Sequence, residues 1–566
     1  MTVRLVNAQS FVNNCKKQTF VDKKQLLKDF RTITTMFWAD KIAADASGDR
    51  IIVNDSKTPS GRVHVGSLRG VVIHDAIYRA LKHAGKPVTF TYGVDDFDAL
   101  DTVPHYLDKA KFAPYLGHPL CNVPSPEDSA TDYAKYFMGE FLDVFEHLGV
   151  RPQVYYLRDL YRSGKMNSYI DLFLNNAHLV REAYKEISKA DRPSNWYPFH
   201  PICENCGKIA TTVVTDYQDG KVFYTCQPNA MEYVKGCGHT GWVSPFDGNG
   251  KLPWKVEWVA KWEVVGVSIE LAGKDHSQKG GSRDVANSIC RKVLKKNPPT
   301  HAPYEFILVN GTKMSSSKGV GSSAREIADL LPPELLRFLM LRTQPRSVIN
   351  FSPNYETITR LFRDYDTLID KYQADTVKDE KALEDLVPLV YSQLNTDEKV
   401  EGYQGFDFST LISLLQIPHL DLEAEIATRS ANPLSDRDWE VVRDRIRVGK
   451  KWLQDYADEE EKLVLYLDSI PDKASNLTAE QVTYFEALVP NLEADVEWDG
   501  DKLQTLLFSV SKQVTISQKD AFAAVYFTFL NKERGPKAGS LLSYLDKGFV
   551  IQRIKDAIAL NLVAKA

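Results

Sequence analysis

Residues 50–84 read RIIVNDSKTPSGRVHVGSLRGVVIHDAIYRALKHA, and this stretch determines the predicted fold. Residues 50–53 form an apolar, β-branched run that is typical of a buried parallel strand. Residues with turn chemistry occupy 54–61, and Val63–Ala84 then carries apolar side chains at helical spacing. The pattern therefore predicts a strand, a tight loop and a helix.

The start of the predicted helix has the chemistry of a phosphate site. A helix N-terminus presents backbone N–H groups and a partial positive charge, and Gly66 lets another group approach the backbone closely. His64 would lie beside a triphosphate, where its ring can donate to phosphate oxygens as charge moves onto a departing pyrophosphate. The alternative is that His64 is a loop histidine and Gly66 a packing residue.

A second motif, Lys313-Met314-Ser315-Ser316-Ser317-Lys318-Gly319, follows a predicted strand over residues 304–309. The Asn310-Gly311 pair between them can supply a turn with positive φ. Lys313 carries a flexible point charge that can reach a developing pyrophosphate, and the serine hydroxyls can close over ATP. The two motifs therefore predict the two halves of one ATP site.

Both motifs resemble signatures of class I aminoacyl-tRNA synthetases: Ser60–Ser67 is similar to His-Ile-Gly-His, and Lys313–Gly319 is similar to Lys-Met-Ser-Lys-Ser. Two positions depart from the family pattern. Ser67 replaces the second histidine, and Ser316 replaces a second lysine, whose charge Lys318 can supply two residues later. The resemblance implies that His64 and Lys313 are catalytic and that ATP binds, with Mg²⁺, at His64, Gly66, Ser67, Lys313, Ser315, Ser316 and Ser317.

Four of the seven cysteines fall in one segment with metal-ligand spacing. Cys203 and Cys206 form a Cys-x-x-Cys-Gly knuckle that turns two thiolates toward one ion, and Cys226 and Cys237 follow at a spacing that suits a second arm. The β-branched and aromatic residues beside them predict a small zinc ribbon. The segment therefore predicts a structural Zn²⁺ site with four protein ligands. The alternatives are His239 in place of Cys237, a redox pair at Cys203 and Cys206, or no metal.

Strand and helix patterns alternate along the first half of the chain. Residues 87–92 predict a second strand, and residues 264–270 a later one. This alternation predicts an α/β fold with a Rossmann-type, doubly wound parallel sheet, whose ligands bind at the carboxyl ends of the strands. Beyond about residue 319, helical patterns replace the strands. We therefore predict a helical leader at 1–46, two halves of a catalytic domain at 47–150 and 253–320, an insertion with the zinc ribbon at 151–252, and an α-helical region at 321–566.

Three acidic residues follow the predicted strand at 87–92 and so lie at its carboxyl end: Asp95, Asp96 and Asp98. Carboxylates at that edge can pair with an ammonium group of a ligand. The alternative is a loop that caps a helix or binds solvent.

Several phrases between the two motifs resemble the class I lysyl-tRNA synthetases over about residues 50–351. They are Thr58-Pro59-Ser60-Gly61, Tyr115-Leu116-Gly117-His118-Pro119-Leu120, Tyr197-Pro198-Phe199, Leu252-Pro253-Trp254-Lys255-Val256-Glu257-Trp258 and Gly273-Lys274-Asp275-His276. The resemblance implies a Rossmann catalytic domain, an insertion that contacts the acceptor stem of tRNA, and a C-terminal helical cage for the anticodon. It also implies two steps, in which L-lysine and ATP form lysyl-adenylate and tRNA-Lys then accepts the lysyl group.

The same resemblance implies a lysine pocket. An ammonium ion is attracted to aromatic faces and to carboxylates, so the three aspartates are candidates for its partner. The tryptophans in this region recur every four residues and end at Trp262, so a packed aromatic stripe is the alternative interpretation. The resemblance places in the pocket Thr58, Trp254, Trp258, His276 and Tyr304.

Composition narrows the class of protein. Of 566 residues, 43% are hydrophobic and 26% charged, and the net charge is −5, so the basic excess of many nucleic-acid-binding proteins is absent. A basic segment, Arg283–Lys296, is a candidate contact for tRNA, with a solvated helix face as the alternative. The sequence has neither an apolar run long enough to span a bilayer nor the core of a signal peptide. We therefore expect a cytoplasmic monomer without a membrane partner.

Three other functions stay open on sequence grounds. A class I synthetase for arginine, glutamate or cysteine would share the ATP motifs, and a cysteine enzyme would hold zinc open to its pocket. A non-catalytic tRNA-binding paralogue would have no chemical need for His64, Gly66 and Lys313. A simple nucleotidyltransferase would leave the long helical tail unexplained.

Overall fold

The computed structural model describes residues 37–311, 322–374, 380–395, 400–404, 406–417 and 420–563. The predicted ATP-binding residues Lys313, Ser315, Ser316 and Ser317 lie outside the described residues, as does the leader up to residue 36. The chain divides into two compact units, the first comprising residues 1–352 and 367–402 and the second 353–366 and 403–566. The domain boundaries proposed from the sequence stay a prediction.

The first unit begins with alternating helices and parallel strands, as the sequence predicts. Its first elements are α1 (Trp38–Asp45), β1 (Ile51–Lys57), α2 (Val65–His83), β2 (Val88–Val94), α3 (Lys109–Phe112), α4 (Tyr133–His147), β3 (Gln153–Tyr156) and α5 (Leu157–Arg162). β1 pairs in parallel with β2, and β2 with β3. The predicted strand, loop and helix over residues 50–84 are confirmed by β1 and α2.

β1 lies in the middle of the parallel arrangement. Opposite β2, the backbone N–H of Asn54 donates to the carbonyl of Ile269 at 3.0 Å. Ile269 forms parallel bridges with both Val53 and Thr300. β1 therefore has a parallel neighbour on each side, β2 on one and Ile269 on the other. In parallel α/β sheets, ligands bind at the carboxyl ends of strands placed in this way.

The insertion is a small antiparallel sheet with helices before it. Its elements are α6 (Asn167–Asn175), α7 (Ala177–Ser188), β4 (His200–Pro201), β5 (Thr212–Gln218), β6 (Lys221–Cys226), β7 (Thr240–Val243) and β8 (Gly250–Lys251). β6 pairs with β5 on one side and with β7 on the other, and both pairings are antiparallel. One face of β5 and β6 contributes Val214, Val222 and Tyr224 to a hydrophobic core, and the sheet part of the ribbon prediction is confirmed.

The helix α8 (Trp254–Val265) follows the insertion and shows that the predicted strand at 264–270 is wrong in its first half. Val264 and Val265 end α8, because Gly266 adopts a left-handed conformation with φ of 82° and terminates the helix. Only the residues after Gly266 are extended, and Ile269 among them joins β1.

The remaining elements of the first unit return to short parallel pairs and then to helices. The Asn310–Gly311 turn has φ values of 50° and 71°, which confirms the predicted positive φ. β9 pairs with β10, and β11 with β12, both in parallel. These elements are β9 (Ala272–Gly273), α9 (Lys274–Ser277), α10 (Ser282–Ile289), β10 (Pro303–Tyr304), β11 (Ile307–Val309), α11 (Ala324–Leu330), α12 (Pro333–Leu341), β12 (Ile349–Phe351), α13 (Tyr355–Gln373), whose residues 355–366 belong to the second unit, and α14 (Glu380–Ser392).

The described part of the second unit is helical. Its buried core includes Tyr484, Phe485, Leu507 and Phe529. Trp452 is also fully buried, and its indole N–H donates to the carbonyl of Pro353 at 2.7 Å. Its helices after residue 403 are α15 (Phe408–Leu414), α16 (Leu422–Arg429), α17 (Asp436–Asp455), α18 (Ala479–Glu493), α19 (Gly500–Gln513), α20 (Gln518–Leu530), α21 (Ala538–Ser543) and α22 (Lys547–Val563). None of the helices described in either unit combines the length and the apolar character needed to cross a lipid bilayer.

Candidate active site

A cleft of about 580 Å³ opens in the first unit at the carboxyl ends of β1 and β2. It gathers residues that are far apart in the sequence, which is the arrangement expected of a ligand site in a parallel sheet. Ten predicted site residues line it: Thr58, His64, Gly66, Ser67, Asp95, Asp98, Trp254, Trp258, His276 and Tyr304. Asp96 is not part of the lining.

One wall of the cleft is the N-terminus of α2. His64 is the residue before the helix and has extended backbone, with φ of −77° and ψ of 155°. Gly66 and Ser67 follow in the first helical turn and also line the cleft. The partial positive charge of a helix N-terminus favours an anion, so this wall suits a phosphate group.

The chain after the second sequence motif is held beside His64. The backbone N–H of Val65 donates to the carbonyl of Ser322 at 3.2 Å, and His64 bridges Ser323. Before that motif, Phe306 and Ile307 line the same cleft. Both flanks of the Lys313 motif therefore lie at this cleft.

The two predicted aspartates that line the cleft, Asp95 and Asp98, are each paired with a buried lysine. Asp95 Oδ1 lies 2.8 Å from Lys261 Nζ, which also lies 2.9 Å from Ser56 Oγ. Although burial opposes it, Asp95 raises the pKa of Lys261 above its usual range. Asp98 forms an ion pair with Lys251. The negative charges of both aspartates are thus balanced within the protein.

Thr58 and Glu257 complete the Asp98 cluster. The Thr58 hydroxyl donates to Asp98 Oδ2 at 2.6 Å. Lys251 Nζ also lies 2.9 Å from Glu257 Oε1, and the Tyr161 hydroxyl donates to Glu257 Oε2 at 2.6 Å. Burial raises the pKa of Glu257 to about 7, since one lysine serves two buried carboxylates.

Asp96 has an internal structural contact instead of a place in the cleft. Its carboxylate forms an ion pair with Arg158 and accepts the backbone N–H of that residue at 2.9 Å. The same guanidinium holds Asp132 with two bonds of 2.7 and 2.8 Å. This network fixes the start of α5 beneath the loop that carries Asp95 and Asp98.

The tryptophans of α8 differ in exposure, from a buried one in the core to an exposed one at the cleft. Trp262 is only 2% exposed, whereas Trp254 is 42% exposed and lies with its ring centroid 5.4 Å from that of His276. Trp258 stands between them, and its indole N–H donates to Glu270 Oε2 at 2.6 Å. The packed-stripe interpretation therefore applies to Trp262, which lies in the core. The pocket interpretation applies to Trp254, which lies in the cleft wall.

Arg283, the first residue of the predicted basic segment, is buried against this stripe. Its guanidinium lies 5.1 Å from the ring centroid of Trp258 and 4.4 Å from that of Trp262. Its Nη1 lies 3.5 Å from Glu270 Oε2. Arg283 is only 1% exposed, so it supports the cleft from behind and presents no surface to tRNA.

Asp55 is among the cleft carboxylates that sequence reasoning missed. Its Oδ1 accepts the backbone N–H of Ser56 at 2.8 Å, and its Oδ2 lies 3.6 Å from Nδ1 of the buried His74. Burial raises the pKa of Asp55, more than His74 lowers it. A signal was present in the sequence, because Asp55 lies two residues after the predicted strand at 50–53 and so near its carboxyl end.

The four cysteines of the insertion form a cluster. The Sγ atoms of Cys203, Cys206, Cys226 and Cys237 all lie within 4.8 Å of one another. Cys203 Sγ is 3.6 Å from Cys237 Sγ, and Cys206 Sγ is 3.7 Å from Cys226 Sγ. Tetrahedral Zn–S bonds of about 2.3 Å place sulfurs roughly 3.8 Å apart, so the cluster has the dimensions of a four-cysteine zinc site.

The alternative ligand His239 faces a different group. Its Nε2 lies 3.8 Å from Glu204 Oε2, and the ring is not part of the sulfur cluster. Gly207 and Gly238 have φ values of 73° and 81°, which lets the backbone turn sharply after each cysteine arm. The geometry therefore favours four thiolates over three thiolates and a histidine.

Comparison with known proteins gives one consistent family. The model described as tRNA synthetases class I (K) matches residues 36–392. The lysine--tRNA ligase of Methanosarcina barkeri is 31% identical over 543 residues, covering 92% of this chain and 98% of that protein. The corresponding ligase of Thermoplasma volcanium is 34% identical over 528 residues, covering 93% and 100%.

Among solved structures, a glutamate tRNA ligase from Elizabethkingia meningosepticum is similar at 12% identity and a TM-score of 0.39. It covers 90% of this chain and 99% of that chain. This likeness is too weak to support a conclusion about the site.

Proposed function

Because this chain belongs to the family of class I tRNA synthetases for lysine, we propose that it ligates L-lysine to tRNA-Lys with ATP, through a lysyl-adenylate. The relatives that support this reaction span the chain almost end to end, and they are all named for lysine. They disfavour the arginine, glutamate and cysteine alternatives. A non-catalytic paralogue is disfavoured by the built cleft around His64.

The observation that carries the proposal is the meeting, at one cleft, of the first sequence motif with the chain on both sides of the second. The motif at 60–67 supplies the N-terminus of α2, and the chain just after the motif at 313–319 pairs with it through Ser322–Ala324. Phosphate binding at a helix N-terminus is strengthened by a cation that reaches the phosphate oxygens. We propose that Lys313 is that cation, on the grounds of its sequence motif.

In the first step, a carboxylate oxygen of lysine attacks the α-phosphorus of ATP, which enters as its magnesium complex. The bond from that phosphorus to the bridging oxygen breaks, and pyrophosphate leaves. We propose that His64 and the first turn of α2, with Gly66 and Ser67, stabilise the charge on the phosphates. No covalent bond to the protein is needed, because positioning and charge stabilisation supply the acceleration.

In the second step, a ribose hydroxyl of the terminal adenosine of tRNA attacks the carbonyl carbon of the adenylate. The ester bond forms, AMP leaves with the former bond electrons, and the hydroxyl proton passes to a phosphate oxygen or to solvent. We propose that Trp254, Trp258 and His276 form the wall that holds the lysine side chain through both steps, since aromatic faces attract an alkylammonium group. We propose that Thr58 acts indirectly, because its hydroxyl donates a hydrogen bond to Asp98.

The proposal includes a structural Zn²⁺ held by Cys203, Cys206, Cys226 and Cys237. The sulfur separations support it, because they suit one tetrahedral ion and are far longer than a disulfide bond. A bound zinc would supply stability to the ribbon and no reactive group. The four thiolates would tie the knuckle at 203–206 to β6 and β7.

The tRNA would meet the chain at two places, in line with the family resemblance. We propose that the insertion contacts the acceptor stem and that the α-helical region at 321–566 contacts the anticodon. Three further expectations stay predictions. They are the Rossmann type of the parallel sheet, a monomeric state and a cytoplasmic location.

The experiment that tests the proposal is aminoacylation of total tRNA with lysine by wild type and by His64→Ala. We expect lysine, ATP and tRNA to be required together, and the variant to lose about 10²- to 10³-fold in rate, the usual cost of removing one charge-stabilising donor. His147→Ala, which changes an exposed histidine at the end of α4, is the matched control and should match wild type. Absence of lysine charging by folded wild type, given competent tRNA, would favour the non-catalytic paralogue.

A further inference from the structure

The three aspartates predicted to meet the lysine ammonium already have protein partners. Asp95 and Asp98 are paired with lysines, and Asp96 is paired with Arg158 outside the cleft. A substrate ammonium would have to displace a buried lysine to reach them. Breaking a buried pair is costly, so a carboxylate without a lysine or arginine partner is a better candidate for the substrate ammonium.

The other carboxylates that line the cleft, Asp275 among them, are also occupied. Glu270 accepts the indole N–H groups of Trp258 and Trp262 and lies beside Arg283. Glu305 is 2.9 Å from Lys274 Nζ. Glu257 shares Lys251 with Asp98 and accepts the Tyr161 hydroxyl, as described above.

Asp55 differs from all of these carboxylates. In the described part of the chain, no lysine or arginine nitrogen lies within 4.0 Å of the Asp55 oxygens. The basic group within that distance is His74, whose Nδ1 lies 3.6 Å from Asp55 Oδ2. Lys57, two residues along β1, and Lys261 are near enough to interact with the Asp55 charge but lie beyond that distance. The Asp55 side chain is 13% exposed, and that exposure is toward the cleft.

The neighbouring His74 is held in its neutral form by the backbone around it. The N–H of Leu271 donates to Nε2 at 2.9 Å, so Nε2 must be an acceptor without a proton. The ring proton therefore lies on Nδ1, which is 2.7 Å from the carbonyl of Gly70. A neutral imidazole does not balance the charge of Asp55.

A glycine lies where Asp55 and Tyr304 approach α2. Gly70 lies within α2, where glycine costs about 1 kcal/mol relative to alanine. A Cβ at that position would lie 2.6 Å from the Tyr304 hydroxyl and 3.1 Å from Asp55 Oδ2. The hydroxyl and the carboxylate thus meet over the same point of the helix, and a side chain at residue 70 would displace the Tyr304 hydroxyl.

We propose that Asp55 and the hydroxyl of Tyr304, over Gly70, receive the ε-ammonium group of the substrate lysine. An ammonium group offers three donors, and here the cleft lining presents a carboxylate oxygen and a phenolic oxygen as acceptors. The inference rests on the proposed lysine ligation and names the residue that makes the site selective for an amino acid with a terminal cation. It replaces Asp95, Asp96 and Asp98 in that role.

The test compares Asp55→Asn with wild type in lysine aminoacylation, and in inhibition by norleucine, which has the same carbon chain without the ammonium group. Loss of one charged contact to a ligand is worth roughly 10- to 100-fold. We expect kcat/KM for lysine to fall by that factor through a higher KM, with the KM for ATP unchanged. The preference for lysine over norleucine should shrink by the same factor.

Two further variants make the result decisive. Asp49→Asn changes an exposed aspartate just before β1 and should match wild type. Gly70→Ala keeps every charge but displaces the Tyr304 hydroxyl, so it should also raise the KM for lysine, and it replaces Asp55→Asn if that variant does not fold. If wild type charges lysine while folded Asp55→Asn keeps its lysine KM within twofold, or Gly70→Ala does so in its place, the inference is overturned and the proposed function stands. If wild type does not charge lysine, both are overturned.

Discussion

The backbone N–H of Ala324 donates to the carbonyl oxygen of Val63 at 2.8 Å. This bond joins the start of α11 to the residue before His64. Together with the bond from Val65 to Ser322, it forms a short antiparallel pairing on both sides of the bridge between His64 and Ser323. The chain after the Lys313 motif is therefore anchored beside His64, at the N-terminus of α2.

Ser323 should link helix stability to ATP binding. Its hydroxyl accepts the N–H of Glu326 at 3.1 Å, and the Glu326 carboxylate accepts the N–H of Ser323 at 2.9 Å. We predict that Ser323→Ala costs about 1 kcal/mol of unfolding free energy, as for other lost helix caps, and raises the KM for ATP several-fold. Ser435→Ala removes an equivalent capping box at α17 in the second unit and should change stability alone. Equal ATP KM values in the two variants would contradict the anchoring role.

The pair of Lys261 and Asp95 should contribute to stability only as a pair. Lys261→Met leaves the Asp95 carboxylate buried without its cation, and such a loss costs about 3–5 kcal/mol. We predict that adding Asp95→Asn to Lys261→Met recovers part of that loss, because the uncompensated charge is gone. Denaturant unfolding of the single and double variants measures this, with the exposed Lys41→Met as the control. A single variant as stable as that control would show that the pair contributes little.

Glu257 should make stability depend on pH. Its pKa of about 7 in the folded chain lies above its ordinary value of 4.5, so between these values the folded state binds more protons than the unfolded state. Its contribution to the unfolding free energy is therefore full below about pH 4.5 and is lost as the pH rises through 7. We predict that Glu257→Gln flattens this decline in unfolding measurements from pH 5 to 8. Glu480→Gln, at an exposed glutamate of α18, should leave the decline as in wild type.

The cysteine cluster should bind one zinc ion per chain. Cys237→Ser should lower the zinc content measured by elemental analysis and the melting temperature, because a structural zinc site contributes folding free energy directly. His239→Ala should keep the metal, since His239 faces Glu204 and not the sulfurs. Cys290→Ser, at a buried cysteine outside the cluster, is the second control. Loss of zinc from His239→Ala but not from Cys237→Ser would reverse the ligand assignment.

The sequence predicted the parts of this fold that local chemistry determines. The β-branched run before Asn54, the turn residues and the helical spacing after Val63 each predict their own element, and β1 and α2 confirm them. The Asn310–Gly311 turn follows from the tolerance of these residues for positive φ. The cysteine knuckle predicted the sulfur cluster, because a short spacing limits where two side chains can point.

The charge balance of the cleft could not be predicted, because it depends on residues brought together by the fold. Asp95 looked available for a ligand, but its partner Lys261 lies on a helix that follows the whole insertion. Arg283 looked like a surface cation, but it packs on the tryptophans of α8. The close approach of Tyr304 and Asp55 to α2 depends on the absence of a side chain at Gly70, which no motif records.

The central claim is that this chain selects lysine for ligation to tRNA, and the most direct test is charging with each amino acid in turn. Purified protein, ATP, magnesium and total tRNA are incubated with one of the twenty amino acids, and acylated tRNA is separated from free tRNA. We predict acylation with lysine, and its loss in Lys313→Ala. Charging with another amino acid in place of lysine, or with none, would contradict the claim.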